Sequence, residues 1–302
     1  MCEELISKLP IENTPIIKLK NEIYLKLEFM NLGGSIKSRV AKYMIKNAIK
    51  NGTLSCFKKE TILEASGGNT AIGLIQIATR LGWNCVFVIP DNYSKDRVLE
   101  LEAYGAKVYL SDHTTGNNSH ILLAKKLKKN NPSWHYIDQI NNHDNVNAHY
   151  FGTGDEILKQ IEHIDYFISG IGSGGTITGI AKKIKNKNTH IVGVIPHGYS
   201  IKKRIFVPHN IQGIAIGEIP SILDLSLIDS YIEISNDDLI NTAQYLIKDE
   251  NLFLGISSIA NISAALKLRK SVSLSKKIIT IAPDSGHYYK DFYKNIIKEK
   301  KL

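Results

Sequence analysis

The run from Asp165 to Lys185, DYFISG followed by IGSGGT and ITGIAKKIK, constrains the fold more than any other stretch of the chain. Tyr166, Phe167 and Ile168 make a short aromatic and β-branched run of the kind buried in a parallel sheet. Ile177, Ile180, Ala181 and Ile184 share one helical face, and lysines close that helix. Between the two lie Gly170, Gly172, Gly174 and Gly175, which let the backbone turn sharply and bring its N–H groups close to a ligand. A helix N-terminus adds roughly half a positive charge, so this turn is a prepared seat for a phosphate, with Ser173 and Thr176 as hydroxyl donors. A plain strand-to-helix turn is the bland alternative. No lysine stands in the Walker A position and the spacing is not GxGxxG, so the identity of the phosphate must come from elsewhere.

The same punctuation recurs upstream. Residues 21–30 alternate as a strand, break at Asn31-Leu32-Gly33-Gly34, and are followed by Ser35 as the cap of a helix from Ile36 to about Asn51. Lys37 therefore falls in the first helical turn, where a cation opposes the helix dipole. As a surface residue it is a mild misfit; as a buried amine of lowered pKa it suits a nucleophile or base. Residues 60–65 form a strand that runs into Ser66, Gly67, Gly68, Asn69 and Thr70, then a helix stopped by Gly82, which makes a second anion seat. Further strands (84–90, 106–111, 134–138, 190–196, 230–235, 277–282) alternate with helices (94–104, 118–130, 154–161, 237–249, 259–268), with a turn expected at 255–258. Such alternation predicts an α/β fold of mostly parallel, twisted sheets flanked by helices. The polar stretch 141–147 reads as a loop and a boundary between two halves.

The length of 302 residues fits two domains, and 43% hydrophobic with 22% charged residues is ordinary globular composition. The N-terminus has no secretory pattern, and no run reaches the ~18 apolar residues of a membrane span, so a cytoplasmic protein with no membrane partner is expected. Cys2, Cys56 and Cys85 are far apart and form no CxxC pair, which argues for reduced thiols and against a zinc or other metal site. The formal charge of +9 is spread along the chain without a basic arm, so small anionic ligands suit it better than nucleic acid.

NTPIIKL (13–19), KLEFMNLGGSIKSR (26–39), ILEASGGNTAIGL (62–74), GIGSGGTITG (170–179), IQGIA (211–215), LDLSLID (223–229), GISS (255–258) and PDSG (283–286), taken together and in order, resemble the cysteine synthase and cystathionine β-synthase family. These are pyridoxal 5'-phosphate (PLP) enzymes of fold type II, similar to the tryptophan synthase β chain. The resemblance implies two α/β domains with PLP in the cleft between them. The smaller, mobile, carboxylate-binding domain falls on residues 40–146, and the larger, phosphate-binding one on 1–39 plus 147–302. The family's Schiff-base lysine falls on Lys37, which serves as tether, base and acid. Its phosphate cup falls on Gly172, Ser173, Gly174, Gly175 and Thr176, and the asparagine on the ring oxygen is Asn69. The serine facing the pyridine nitrogen is Ser257, with Ser258 as fallback. The substrate carboxylate falls to Ser66, Gly67, Gly68, Asn69, Thr70 and Gln139, with Gly213 nearby. A homodimer is the family's common state.

The implied reaction is β-replacement on a β-substituted L-amino acid through an α-aminoacrylate. Cysteine synthesis from O-acetylserine or O-phosphoserine plus sulfide comes first. Release of hydrogen sulfide from L-cysteine, with water or another nucleophile adding, stands close behind. An inactive PLP-binding relative is the competing class, and Lys37 argues against it. The chain departs from the family at the substrate end: Gly67 stands for a serine, Ser38 for an aspartate, Ala215 for a glycine, and Ile259 for a glycine. Glu218 stands for a phenylalanine and is a possible base near the site. Loss of the hydroxyl at Gly67 either weakens substrate contact or opens room for another β-substituent.

Overall fold

The computed structural model describes residues 2–116, 118–216 and 219–300, so Glu218 lies outside the described residues. The elements begin with α1 (Cys2–Ser7), β1 (Ile16–Lys18), β2 (Ile23–Leu27), α2 (Lys37–Lys50), β3 (Thr61–Glu64) and α3 (Asn69–Ala78). There follow β4 (Asn84–Pro90), α4 (Lys95–Ala103), β5 (Lys107–Ser111), α5 (Ser119–Asn130), β6 (His135–Tyr136) and α6 (Asp144–Ala148). The chain continues through α7 (Gly154–Gln160), β7 (Tyr166–Gly170), α8 (Gly175–Ile184), β8 (His190–Pro196) and β9 (Ser230–Ile234). It ends in α9 (Asn236–Glu250), α10 (Ile256–Arg269), β10 (Ile278–Ala282) and α11 (Lys290–Lys300).

These elements separate into two units, Met1–Glu12 with Asn31–Ala148 and Asn13–Met30 with His149–Leu302. The first unit holds a four-stranded parallel sheet of order β5-β4-β3-β6. Its inner strand β4 carries the continuous buried apolar run CVFVI (85–89), because a parallel strand covered on both faces has no solvent side. Val40, Met44 and Ile45 of α2 and Ile72 and Ile75 of α3 pack with Ile62 and Phe87 of the sheet. Each such fully buried side chain contributes about 1.5–3 kcal/mol of hydrophobic free energy.

The second unit holds a six-stranded sheet of order β1-β2-β10-β7-β8-β9. All its neighbours pair in parallel except the β1–β2 hairpin. Every residue of β10 is buried, and α10 packs against it through Ile259, Ile262 and Ala265. Alternation along 21–30 points Lys26 outward, yet it is fully buried. Its Nζ donates to Glu156 at 2.6 Å, to the Thr14 carbonyl at 2.6 Å and to Gln160 at 2.9 Å, so the charge has partners in place of water.

Three readings are corrected. The polar stretch 141–147 is partly helical: Asn142 accepts from the Asp144 N–H at 3.0 Å and starts α6, which passes into a π-turn at His149–Thr153. Helix α10 begins at Ile256 rather than at 259, because the extended Gly255 caps it and Ser258 turns its hydroxyl onto the Asp284 carbonyl at 2.9 Å. Cys2 and Cys56 form a disulfide, Cα atoms 5.8 Å apart, since α1 and the turn after α2 meet across a separation of 54 residues. Cys85 remains a buried free thiol, its pKa pushed up to about 12 by burial. No helix among the described residues is long and apolar enough to cross a membrane.

Candidate active site

In the first unit the site grows from the start of α2. Gly33 and Gly34 take positive φ, +80° and +73°, and reverse the chain ahead of the helix. The Ser35 hydroxyl accepts the Lys37 N–H at 3.3 Å, a capping bond one residue before the assigned cap Ile36. Ser38 donates its hydroxyl to the Leu32 carbonyl, so this departure from aspartate fastens the glycine loop to the helix. Helix α3 crosses close by. A Cβ on Gly73 would lie 2.9 Å from the Lys37 carbonyl oxygen, so only a glycine permits that approach. Burial pushes the Lys37 amine down to about 8, opposed in part by the Glu64 carboxyl.

The turn after β3 brings Ser66, Gly67, Gly68, Asn69 and Thr70 to the N-terminus of α3. Ser66 accepts the Gly68 N–H at 3.3 Å, and Arg97 reaches the Asn69 side-chain oxygen at 3.2 Å. Thr70 donates to the Gln139 side-chain oxygen at 2.7 Å, which joins two residues 69 positions apart. Gln139 in turn donates through its backbone and side chain to Glu64, as does the Asp138 N–H. Burial pushes the Glu64 carboxyl up to about 8 despite these three donors. Gly67 opens no space. A Cβ there would lie 2.9 Å from two Ile89 carbons and 3.0 Å from the Tyr93 ring, so the volume of a serine side chain is already filled.

In the second unit β7 leads through Gly172, Ser173 and Gly174 into α8, with Gly174 as a left-handed N-cap at φ +83°. A Cβ on Gly172 would lie 2.1 Å from the Gly213 carbonyl oxygen, a backbone approach that admits no side chain. The Gly213 segment is held there by the Ala215 N–H, which donates to the Ile171 carbonyl at 2.8 Å. Ala215 takes φ +51° where the family has glycine, so its methyl is carried in a left-handed conformation costing about 1–2 kcal/mol. A Cβ on Gly213 would lie 3.9 Å from the Ser257 hydroxyl, so the turn at Gly172, Gly213 and Ser257 cluster together. The Ser258 hydroxyl is bound to Asp284, whereas Ser257 makes no side-chain hydrogen bond among the described residues.

His149, beside the candidate site, is not singled out by the sequence reading. Fully buried in the π-turn, its Nδ1 lies 3.0 Å from the Thr153 hydroxyl and its Nε2 3.2 Å from the Thr176 hydroxyl, which holds the Thr176 side chain in place. A lone histidine 27 residues before its partner gives no sequence signal.

The family described as pyridoxal-phosphate dependent enzyme matches residues 7–284. Cysteine synthase B of Campylobacter jejuni is 38% identical over 293 residues, covering 95% of this chain and 96% of the relative. A cystathionine beta-synthase of Apis mellifera is 38% identical over 301 residues, 92% of this chain, and the aligned part spans only 59% of that longer protein. Among solved structures, a hydrogen sulfide-producing enzyme from Fusobacterium nucleatum superposes with a TM-score of 0.87 at 36% identity, over 94% of this chain and 97% of that one. The glycine seats, the lysine at the helix start and these likenesses over most of the length agree, and the chain belongs to the pyridoxal-phosphate dependent enzymes, alongside the cysteine synthases and cystathionine β-synthases.

Proposed function

We propose that this enzyme performs β-replacement on an L-amino acid that carries a leaving group on Cβ. The observation that carries the reading is Lys37: an amine in the first turn of α2, with its pKa lowered to about 8. The residues present fit PLP. The turn from Gly172 to Thr176, bent by the left-handed Gly174, offers the backbone N–H groups at the start of α8 for the phosphate, and Ser257 offers an uncommitted hydroxyl for the ring nitrogen. Ser258, bound to Asp284, is the poorer choice for that role. PLP, when bound, supplies the electron sink for the bond broken at Cα.

The chain's own groups do the rest. Lys37 removes the proton from Cα and returns it, which its lowered pKa allows near neutral pH. The N-terminus of α3 with Thr70 and Gln139 holds the substrate carboxylate, the place where a helix dipole favours an anion. A hydroxyl at Ser257, in place of a carboxylate, does not hold a proton on the ring nitrogen, which suits loss of a β-group.

Synthesis of cysteine from O-acetylserine or O-phosphoserine and sulfide is the first reading, supported by the Campylobacter jejuni relative. Sulfide release from L-cysteine, with water adding in its place to give serine, is the second, supported by the Fusobacterium nucleatum structure. The two separate in one experiment on the PLP-loaded protein: sulfide set free from L-cysteine against cysteine formed from O-acetylserine and sulfide. Rapid cysteine formation with no sulfide from cysteine alone ends the second reading, and the reverse ends the first. Lys37→Ala should lose the visible PLP band and both activities; a retained band with activity overturns the assignment of Lys37.

A further inference from the structure

The substrate loop contains a replacement that the sequence hides. Where the family carries a serine hydroxyl this chain has Gly67, and the structure fills the missing volume from the β4–α4 turn. A Cβ on Gly67 would meet Ile89 Cδ1 and Cγ2 at 2.9 Å and Tyr93 Cε1 at 3.0 Å. The Tyr93 hydroxyl lies 3.4 Å from where a Cβ on Gly68 would stand. The phenol thus lies over Gly67 and ends at Gly68, the residue that caps α3.

Tyr93 is 37% exposed, and its neighbours hold the turn that carries it. Ile89, against the same glycine, is fully buried at the end of β4. The Tyr93 N–H donates to the Pro90 carbonyl at 3.0 Å, closing the turn that carries the ring. Arg97, in the first turn of α4, reaches back to the Asn69 side chain at 3.2 Å and pairs with Glu100 at 2.9 Å. The turn therefore packs on the loop through Ile89 before Tyr93 and is hydrogen-bonded to it through Arg97 after Tyr93. Burial raises the pKa of the phenol, opposed in part by Arg97, so the hydroxyl is protonated at neutral pH and able to donate. Among the described residues that hydroxyl has no hydrogen-bond partner.

We propose that Tyr93 is a substrate-binding residue that donates its hydroxyl to the α-carboxylate of the amino-acid substrate, in place of the serine hydroxyl absent at Gly67. The glycine and the tyrosine are then one adaptation: the loop gives up a side chain so that an aromatic from the neighbouring turn can lie over it. The tyrosine approaches from the α4 side, so it also narrows the carboxylate seat from that side. The inference rests on the proposed function only in placing the carboxylate at residues 66–70.

The test uses the PLP-loaded protein and L-serine and L-cysteine as probes, with dissociation constants read from the visible absorbance change and folding read from the thermal midpoint. Tyr93→Phe keeps the ring and removes the hydroxyl, so it should weaken both amino acids about tenfold, the loss of one hydrogen bond to a charged group. PLP affinity and the midpoint should stay at the wild-type value. Tyr93→Ala should weaken binding at least as much. Unchanged affinity in Tyr93→Phe overturns the inference. Thr70→Ala separates the two levels of the argument. If it weakens binding while Tyr93→Phe does not, the carboxylate site stands and Tyr93 alone is excluded. If neither does, the carboxylate is held elsewhere and both readings fall.

Discussion

Gln139 is joined to Glu64 twice, its backbone N–H and its side-chain amide both donating to the same buried carboxyl. Asp138 adds a third donor, and its φ of +53° is what turns two successive N–H groups towards one acceptor. The far side of the Gln139 amide is taken by the Thr70 hydroxyl, so its orientation is set at both ends. Glu64→Gln should therefore weaken amino-acid binding by about 1–2 kcal/mol through disorder of Gln139, with PLP affinity unchanged. In a Gln139→Ala background the same substitution should have little effect. Equal losses in both backgrounds, measured by absorbance titration, would show Glu64 acting by another route.

The same carboxyl gives a pH signature in the PLP-free protein. Glu64 is raised from an ordinary 4.5 to about 8, so the folded state holds its proton more tightly than the unfolded chain. Its contribution to stability is intact below 4.5 and is lost as pH rises to 8, a total of several kcal/mol. Lys37 works in a higher window: lowered from 10.5 to about 8, it favours the unfolded chain most below 8 and recovers between 8 and 10.5. Urea unfolding of Glu64→Gln from pH 4.5 to 8 should show a shallower decline than wild type. Parallel curves would contradict the buried, protonated carboxyl.

Gly172→Ala should abolish PLP binding and lower stability by more than ~3 kcal/mol, because its methyl meets the Gly213 carbonyl and not a yielding side chain. Fluorescence titration of PLP and the thermal midpoint read the two effects separately.

The adjacent serines of α10 should behave differently. Ser258→Ala removes a donor from the Asp284 carbonyl and an acceptor from the Asp284 N–H, costing about 1–3 kcal/mol of stability while the visible band of bound PLP keeps its position. Ser257→Ala should leave stability nearly unchanged and shift that band. The opposite pattern would reassign the ring partner to Ser258.

Thiol titration of the denatured protein should give one reactive group, Cys85, without reductant and three with it. Reduction should cost about 4 kcal/mol in the chain-entropy model for a loop of this length. Three thiols before reduction would show that Cys2 and Cys56 are unpaired.

What could be read from the sequence is what a short window carries. The glycine turns at 66–70 and 172–176, the strand before each and the helix after each all follow from local spacing, as does Lys37 in a first turn. What escaped is held by partners far along the chain. Lys26 reads as an outward residue of an alternating strand because Glu156, which makes its burial tolerable, lies 130 positions away. Tyr93 is one more aromatic in a loop until the packing against Gly67 is seen. Ser257 reads as part of a turn because the contact that extends α10 to Ile256 comes from Asp284. Cys2 and Cys56 carry no pairing signal of their own.

The absent side chain at Gly73 has a mechanical consequence. Because α3 rests directly on the peptide of Lys37, the anchor of the amine and the helix proposed to receive the carboxylate are packed against each other without a side chain between them. Under the proposed function, the spacing between amine and carboxylate is thereby set inside the first unit alone.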